Sequence, residues 1–584
     1  MKAIPHWLRA YQKPWLSGDI TAGMIVTVML IPQSLAYAML AGLPPETGLY
    51  ASILPIVAYA VFGSSMTLAV GPVAVSSLMT ASALGPLAAS GSAEYTSLAI
   101  QLSLLSGLML VVLSALKFGF LARFLSHPVI SGFISGSAVL IAVSQLKHLL
   151  GVKAQGETVV DTLAGLVQAL PQTKPVTLAL GAGSLAFLLF SRRHLPRLLE
   201  AMGLPSKTAG TLAKLAPMLA VIVSTLIVAA LRLDQHQGVS VVGAIPQGLP
   251  SLSLPMPSVA HLDALWLPAL LISLVGFVES VSVAQSLALK RRQRIDPDGE
   301  LLGLGAANVA SAISGGFPVT GGFSRSVVNF SAGAQTPLAG VIAAGFMTII
   351  SVWLTGLFHY LPHAVLAATI IAAVLSLIDV HTLREVWVYD KTEALSLTAT
   401  ASGVVFLGVE AGILLGVALS LGTLVWRSSH PHIAVVGRVP GTEHFRNIER
   451  HKTQIEPGLI AVRVDESLFF ANASVLLDKI EALADAEPDT RFVLLVCSAV
   501  NQIDATALGV LEDLERSLAE RNISLILAEV KGPVMDRIQN THFGHRIEGK
   551  VFLSVHDAFR YVAEHRQAAG THLSNSPTRT EISA

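Results

Sequence analysis

The sequence predicts an α-helical membrane domain of about fourteen spans, followed by a soluble α/β domain. Three observations carry this. The 584 residues are 52% hydrophobic and 13% charged, where soluble chains carry about 25% charged residues, and the mean hydropathy is +0.64. Apolar runs with short polar breaks follow one another up to Trp426, and beyond it charged residues alternate with short apolar strands. Inside the apolar part, residues 318–329 break the pattern with Pro318, paired Gly321 and Gly322, several hydroxyls and Arg325.

Taken in order, residues 1–18 hold Lys2, Arg9, Lys13, Trp7 and Trp15 without an apolar run before a small-residue cleavage site. They read as a cytoplasmic arm with the two Trp at the headgroups, not as a cleaved signal. Apolar windows place spans near 19–40, 47–63, 72–86, 97–116, 127–148, 174–191 and 213–231. A second set lies near 264–287, 299–314, 323–333, 336–357, 362–378, 393–408 and 410–426. With the N-terminus inside, the cytoplasmic breaks carry most of the basic residues: Lys117 and Arg123; Arg192, Arg193, Arg197, Lys207 and Lys214; Lys290, Arg291, Arg292 and Arg294; Arg384 and Lys391. Lys147, Lys153 and Arg232 are the minority. An even number of spans puts both termini in the cytoplasm.

The halves echo one another. Residues 71–77 (Gly-Pro-Val-Ala-Val-Ser-Ser) and 321–326 (Gly-Gly-Phe-Ser-Arg-Ser) each restart a helix after a break, and a span ahead of each carries a deep polar residue, Gln33 or Glu279. Two halves of seven spans, about 19–232 and 262–428, form an inverted repeat in which broken helices meet at the midplane. A restarting helix offers free backbone N–H groups and the positive end of its dipole. Arg325, too deep to snorkel, turns the pair of helix starts into an anion seat; the plainer reading is a kinked helix.

Glu279 sits about ten residues from either end of its span, where an acid by default marks function. It reads as a proton-coupling residue, or as one half of an ion pair with Arg325. Gln33 and Tyr37 lie one turn apart beside Pro32 and offer neutral donors, which suit an anion that must leave again; interhelical bonding is the alternative. Asp19, Glu46, Glu410 and Asp379 sit at span edges and read as caps. Asn308 and Asn329 are expected to bond across helices. His127, His359 and His363 lack metal spacing, and the single Cys497 excludes a disulfide framework.

In the soluble part, strands at 458–466, 491–497 and 523–529 alternate with helices at 468–484, 505–520 and 532–541. No Gly-rich phosphate loop or catalytic cluster is present, so enzyme activity, nucleic-acid binding and metal or organic cofactors are not expected. Thr506 in the first turn of a helix is a candidate phospho-acceptor. Residues 569–584 read as a disordered tail.

Residues 31–38 (Ile-Pro-Gln-Ser-Leu-Ala-Tyr-Ala) and 41–52 (Ala-Gly-Leu-Pro-Pro-Glu-Thr-Gly-Leu-Tyr-Ala-Ser) strongly resemble the opening signature of the sulfate permease (SulP) family. Residues 318–329 resemble its second signature and residues 71–80 its first broken helix. The tail, taken as 429–568, resembles the sulfate-transporter and anti-sigma-antagonist (STAS) domain. The resemblance covers nearly the whole chain and extends to the animal sulfate, chloride and bicarbonate exchangers. It implies fourteen spans as seven plus seven inverted repeats, with core and gate domains like those of nucleobase carriers. The core would include the first, third, eighth and tenth spans. It also implies a homodimer in a bacterial inner membrane, moving a small inorganic anion, sulfate above all, in an elevator-like cycle. Gln33, Tyr37, Val73, Ala74, Phe323, Ser324 and Arg325 fall at the family's substrate positions and Glu279 at its coupling position. Sodium-coupled bicarbonate members tend to have Asp there, so Glu279 favours protons over sodium. Anti-sigma antagonists carry Asp-Ser-Ser-Gly where this chain has Asp504-Ala505-Thr506-Ala507. Thr506 keeps the hydroxyl a cytoplasmic regulator would need. Bicarbonate, C4-dicarboxylates and anion exchange remain alternatives.

Overall fold

A computed structural model describes residues 5–123, 127–154, 158–213, 215–253 and 261–574. Lys214, counted above for orientation, lies outside the described residues. The chain divides into a unit of residues 1–420 and a unit of residues 421–584.

In the first unit, helical segments stand at all fourteen expected places. The first seven are α1 (Trp15–Leu40), a pair Pro45–Tyr50 and Leu54–Phe62, α2 (Ala74–Leu84), Ala93–Ala115, His127–Leu150, Pro175–Ala201 and Ala216–Leu231. The second seven are α3 (Leu262–Lys290), α4 (Pro297–Ile313), α5 (Phe323–Ser331), Leu338–Phe358, His363–Val374, Lys391–Leu407 and Val409–Ser429. Among the described residues, eight helices are long and apolar enough to cross a membrane, and α2 is among the shorter apolar ones.

Small residues let these helices approach. Gly107 of Ala93–Ala115 faces Gly305 of α4 so closely that a Cβ on Gly107 would lie 2.9 Å from the Gly305 carbonyl oxygen. Gly132 and Gly136 meet the backbone of Leu397 and Ala401 in the same way. Ser106 and Ser273 share a hydroxyl contact of 2.8 Å between Ala93–Ala115 and α3. In an apolar solvent such close packing and buried hydroxyl pairs replace the hydrophobic drive.

Two corrections concern the first helix. It begins at Trp15, so the expected arm is shorter than 18 residues. Trp7, ahead of that helix, is packed into the protein instead of being presented at its surface: it is buried, and its indole Nε1 donates to the Ala60 carbonyl at 2.6 Å.

The second unit holds a six-stranded sheet in the order β4-β3-β5-β6-β7-β8. The strands are β3 (Ile433–Arg438), β4 (Phe445–Asn447), β5 (Leu459–Val464), β6 (Phe492–Val496), β7 (Ser524–Ala528) and β8 (Val551–Phe552). From β5 to β8 the pairs are parallel, and β3 joins both β4 and β5 antiparallel. Parallel pairing requires crossover helices, and α6 (Ala505–Glu520) is one of them. It starts where expected because Asp504 accepts from Ala507 N at 2.8 Å as its N-cap. The last helix runs Val555–Ser574, past the expected start of a tail at 569; residues 575–584 lie outside the described residues.

Candidate functional site

The two breaks meet. Before α2 stands β1 (Val70–Gly71) and before α5 stands β2 (Thr320–Gly321), and they pair antiparallel with Val70 opposite Gly321 and Gly71 opposite Thr320. Neither helix start has a side-chain cap: α2 follows Val73 and α5 follows Gly322, both extended. The N-terminal N–H groups of a helix have no partner within it, so both dipole ends open where the ladder ends.

Side chains brace the ladder. Asn308 on α4 donates to the Val319 carbonyl and accepts from Val319 N, both at 2.9 Å. Ser280 on α3 accepts from Gly321 N at 2.9 Å and shares a 2.7 Å contact with the Thr320 hydroxyl. Ser76 donates to the Pro318 carbonyl at 2.9 Å, and Ser326 accepts from Ala69 N at 2.9 Å. The Asn308 bonds run to the segment that leads into β2, not to another helix as expected.

Arg325 is 3% exposed and its Nη2 donates to the Pro72 carbonyl at 2.7 Å. A Cβ on Gly71 would lie 2.8 Å from Nη1, and one on Gly322 would lie 3.2 Å from Nη2. The guanidinium thus packs closely against Gly71 of the ladder and Gly322 at the start of α5. It sits beneath the helix starts as a fixed charge. Val73 and Ala74 are buried at the start of α2, while Phe323 and Ser324 are exposed at the start of α5. On α1, Tyr37 is buried and Gln33 half-buried. Tyr37 lies within electrostatic reach of both Arg325 and Glu279. Helix α1 packs on α2 and α5, and α3 packs on α2, α5 and β2. Seven of the eight residues picked from the sequence therefore stand on four helices, α1 and α3 each packed on both α2 and α5, and the eighth, Val73, directly precedes α2.

Glu279 is half-buried and borders a cavity of about 50 Å³ whose other walls include Phe133, Leu274, Val278, Thr400 and Ile413. Among the described residues no ion pair joins it to Arg325.

Two buried acids were missed or misread. Glu300 on α4 is fully buried and accepts from Tyr59 Oη (2.7 Å), Ser64 N (2.9 Å), Ser64 Oγ (2.7 Å) and Ser65 N (2.8 Å). Asp19 does not cap its own helix: it lies inside α1, fully buried, and accepts from Gln335 N, Thr336 N and Thr336 Oγ1 at 2.6, 3.0 and 2.7 Å. Asp379 is a cap as expected, accepting from Thr382 N at 2.9 Å.

Residues 16–400 match the sulfate permease family, and residues 450–558 match the STAS domain. The chain belongs to the sulfate permease family. Its relatives include sulfate transporter 4.1, chloroplastic, of Arabidopsis thaliana, 36% identical over 97% of this chain and 83% of that one. A probable sulfate transporter of Mycobacterium tuberculosis is 35% identical over 94% and 95%. Among solved structures, the murine Solute Carrier 26 family member A9 anion transporter matches with TM-score 0.88 at 22% identity, covering 96% of this chain and 94% of that one. The transmembrane domain of a cyanobacterium bicarbonate transporter matches with TM-score 0.59 at 25% identity over 69% and 98%. This member of the sulfate permease family is accordingly a multi-pass membrane transporter with a C-terminal STAS domain, not an enzyme.

Proposed function

We propose that the chain is a secondary active transporter of a small inorganic oxyanion, sulfate, coupled to protons. The observation that carries this reading is the β1–β2 ladder, which brings two uncapped helix starts together over one buried guanidinium. Helix N-termini bind oxyanions through backbone N–H groups, and Arg325 adds a formal positive charge beside them. Two dipole ends and one cation balance a divalent anion without trapping it. Gln33 and Tyr37 orient it with neutral donors, and Val73, Ala74, Phe323 and Ser324 present the helix-start N–H groups. Glu279, on α3, carries the proton. The names of the plant and mycobacterial relatives favour sulfate. Both termini are cytoplasmic in a bacterial inner membrane, and a homodimer holds the gate while the core slides in an elevator-like movement. Thr506, exposed in the first turn of α6 behind the Asp504 cap, is where a cytoplasmic regulator would add phosphate.

The test is uptake of labelled sulfate into proteoliposomes across a substrate panel, with and without an imposed pH gradient. Sulfate accumulating above its external concentration only with acid outside is the expected result. Sulfate left at equilibrium under every gradient would overturn active transport, and sodium-driven accumulation would overturn proton coupling. The match to a cyanobacterium bicarbonate transporter favours bicarbonate as the second reading, and its selective accumulation in the same panel would establish it.

A further inference from the structure

Behind the ladder lies a second, much smaller space. It is a cavity of about 20 Å³, walled by Val26, Leu30, Tyr59, Leu68, Arg325 and Asn329 among others. Arg325 and Asn329 stand one turn apart on α5 and are 3% and 4% exposed. Each brings unused bonding capacity to it. Arg325 Nε and Nη1 have no partner, and neither has Asn329 Oδ1. The amide orientation is settled by its other end: Nδ2 donates to the Thr67 carbonyl at 3.0 Å, which only a donor can do, so the oxygen is the free atom. Tyr59, the third polar wall, already gives its hydroxyl to Glu300 at 2.7 Å.

We propose that one internal water fills this cavity, accepting from Arg325 and donating to Asn329, and that Asn329 thereby positions the guanidinium under the ladder. The volume suits one water, which needs roughly 10–15 Å³ by this measure and two to four polar partners. Its chemistry matches as well. The free atoms are two donor nitrogens on Arg325 and one acceptor oxygen on Asn329. Only a molecule that both accepts and donates serves all of them. A halide would face the amide oxygen, and a cation would face the guanidinium. Pro72 takes one N–H of Nη2 and the water accepts one each from Nε and Nη1, so the fork is held from behind. Arg325 then acts on the bound anion through space, as a fixed charge, and does not swing forward to clasp it.

The role of Asn329 rests on the anion-site reading, while the water itself does not. The purified full-length chain and its Asn329→Asp, Asn329→Leu and Asn329→Ser variants are compared by sulfate binding at equilibrium and by uptake kinetics. Aspartate pairs with Arg325 and cancels its charge, and leucine removes the acceptor and fills the space. Both should raise KM for sulfate tenfold or more with the maximal rate per transporter within about twofold, a split that general misfolding does not produce. Serine, which keeps a hydroxyl and leaves room for the water, should stay within threefold of the parent KM. Equal KM in all variants overturns the positioning role. Should leucine fail to yield monodisperse protein, the aspartate and serine values decide. A density map fine enough to show waters should hold one peak within hydrogen-bond reach of Arg325 and Asn329; no peak there overturns the water. A parent protein that shows the peak but binds no sulfate sinks the anion-site reading and leaves the water standing.

Discussion

Arg325 Nη2 donates to the Pro72 carbonyl at 2.7 Å, joining residues 253 positions apart in the chain. The bond ties the charge of the second broken helix to the backbone that launches the first. Gly71 makes room for it. A Cβ there would press on Nη1 at 2.8 Å, and overpacking of this kind costs about 1–3 kcal/mol. Gly71→Ala should therefore weaken sulfate binding by roughly fivefold to 150-fold in equilibrium measurements. Gly345→Ala, with nothing within 4 Å of its Cβ, should bind as the parent does.

Glu279 borders apolar walls and has no ion pair with Arg325, so its role is separable from anion binding. Glu279→Gln keeps the volume and loses the exchangeable proton. We expect accumulation driven by a pH gradient to vanish, while exchange of labelled for unlabelled sulfate at equal pH persists. Retained accumulation in proteoliposomes would remove Glu279 from the coupling step.

The two helix breaks are legible in the sequence because their ingredients are local: Pro72, Pro318 and the paired Gly321 and Gly322 end a helix wherever they stand, and an arginine amid apolar residues has few explanations. The Asp504 cap is legible for the same reason. The strand pairing that joins the breaks is not, because two residues on each side carry no periodicity. Asp19 and Glu300 were not legible either. An acid near a span edge looks like a cap, and nothing nearby reveals that Asp19 serves backbone 316 and 317 residues onward. Trp7 misled similarly, since amphipathic aromatics suit headgroups and buried carbonyls equally. In the soluble unit the central parallel strand β6 is a continuous apolar run, and β5 and β7 depart from one only at Arg463 and Ser524, as strands covered on both faces should. β4 and β8, at three and two residues, carry too little periodicity to stand out.

Asp465, at the end of β5, yields a pH prediction. Burial alone would raise its pKa, but bonds from Arg463 Nε (2.6 Å) and His432 Nδ1 (2.8 Å) outweigh that and hold the carboxyl below its ordinary range. A lowered folded pKa stabilises above the unfolded value and loses the contribution as pH falls through the folded one. Asp465→Asn should lower the soluble unit's transition in calorimetry of the full chain at pH 7 by an amount worth up to about 1 kcal/mol, since the pair is partly solvated. The difference from the parent should shrink as pH drops below about 4. A gap unchanged across that range would show that the ion pair contributes nothing.

Asp19 carries the last prediction, on stability. Its Oδ1 accepts from Gln335 N and Thr336 N, and its Oδ2 accepts from Thr336 Oγ1. These groups lead into the helix Leu338–Phe358, so the carboxylate fastens the first span to the eleventh. Asp19→Ala strands the buried Thr336 N–H, worth about 1–3 kcal/mol when left unpaired, and the half-buried Gln335 N–H, worth less. Asp19→Asn keeps one oxygen for both N–H groups, and the Thr336 hydroxyl can turn to accept from the new amide. Alanine should thus lower the detergent-solubilised protein's melting midpoint clearly, and asparagine by less than half as much. Equal losses would mean that the negative charge matters and the hydrogen-bond geometry does not. No loss in either would mean that water replaces the carboxylate at the Gln335 and Thr336 amides.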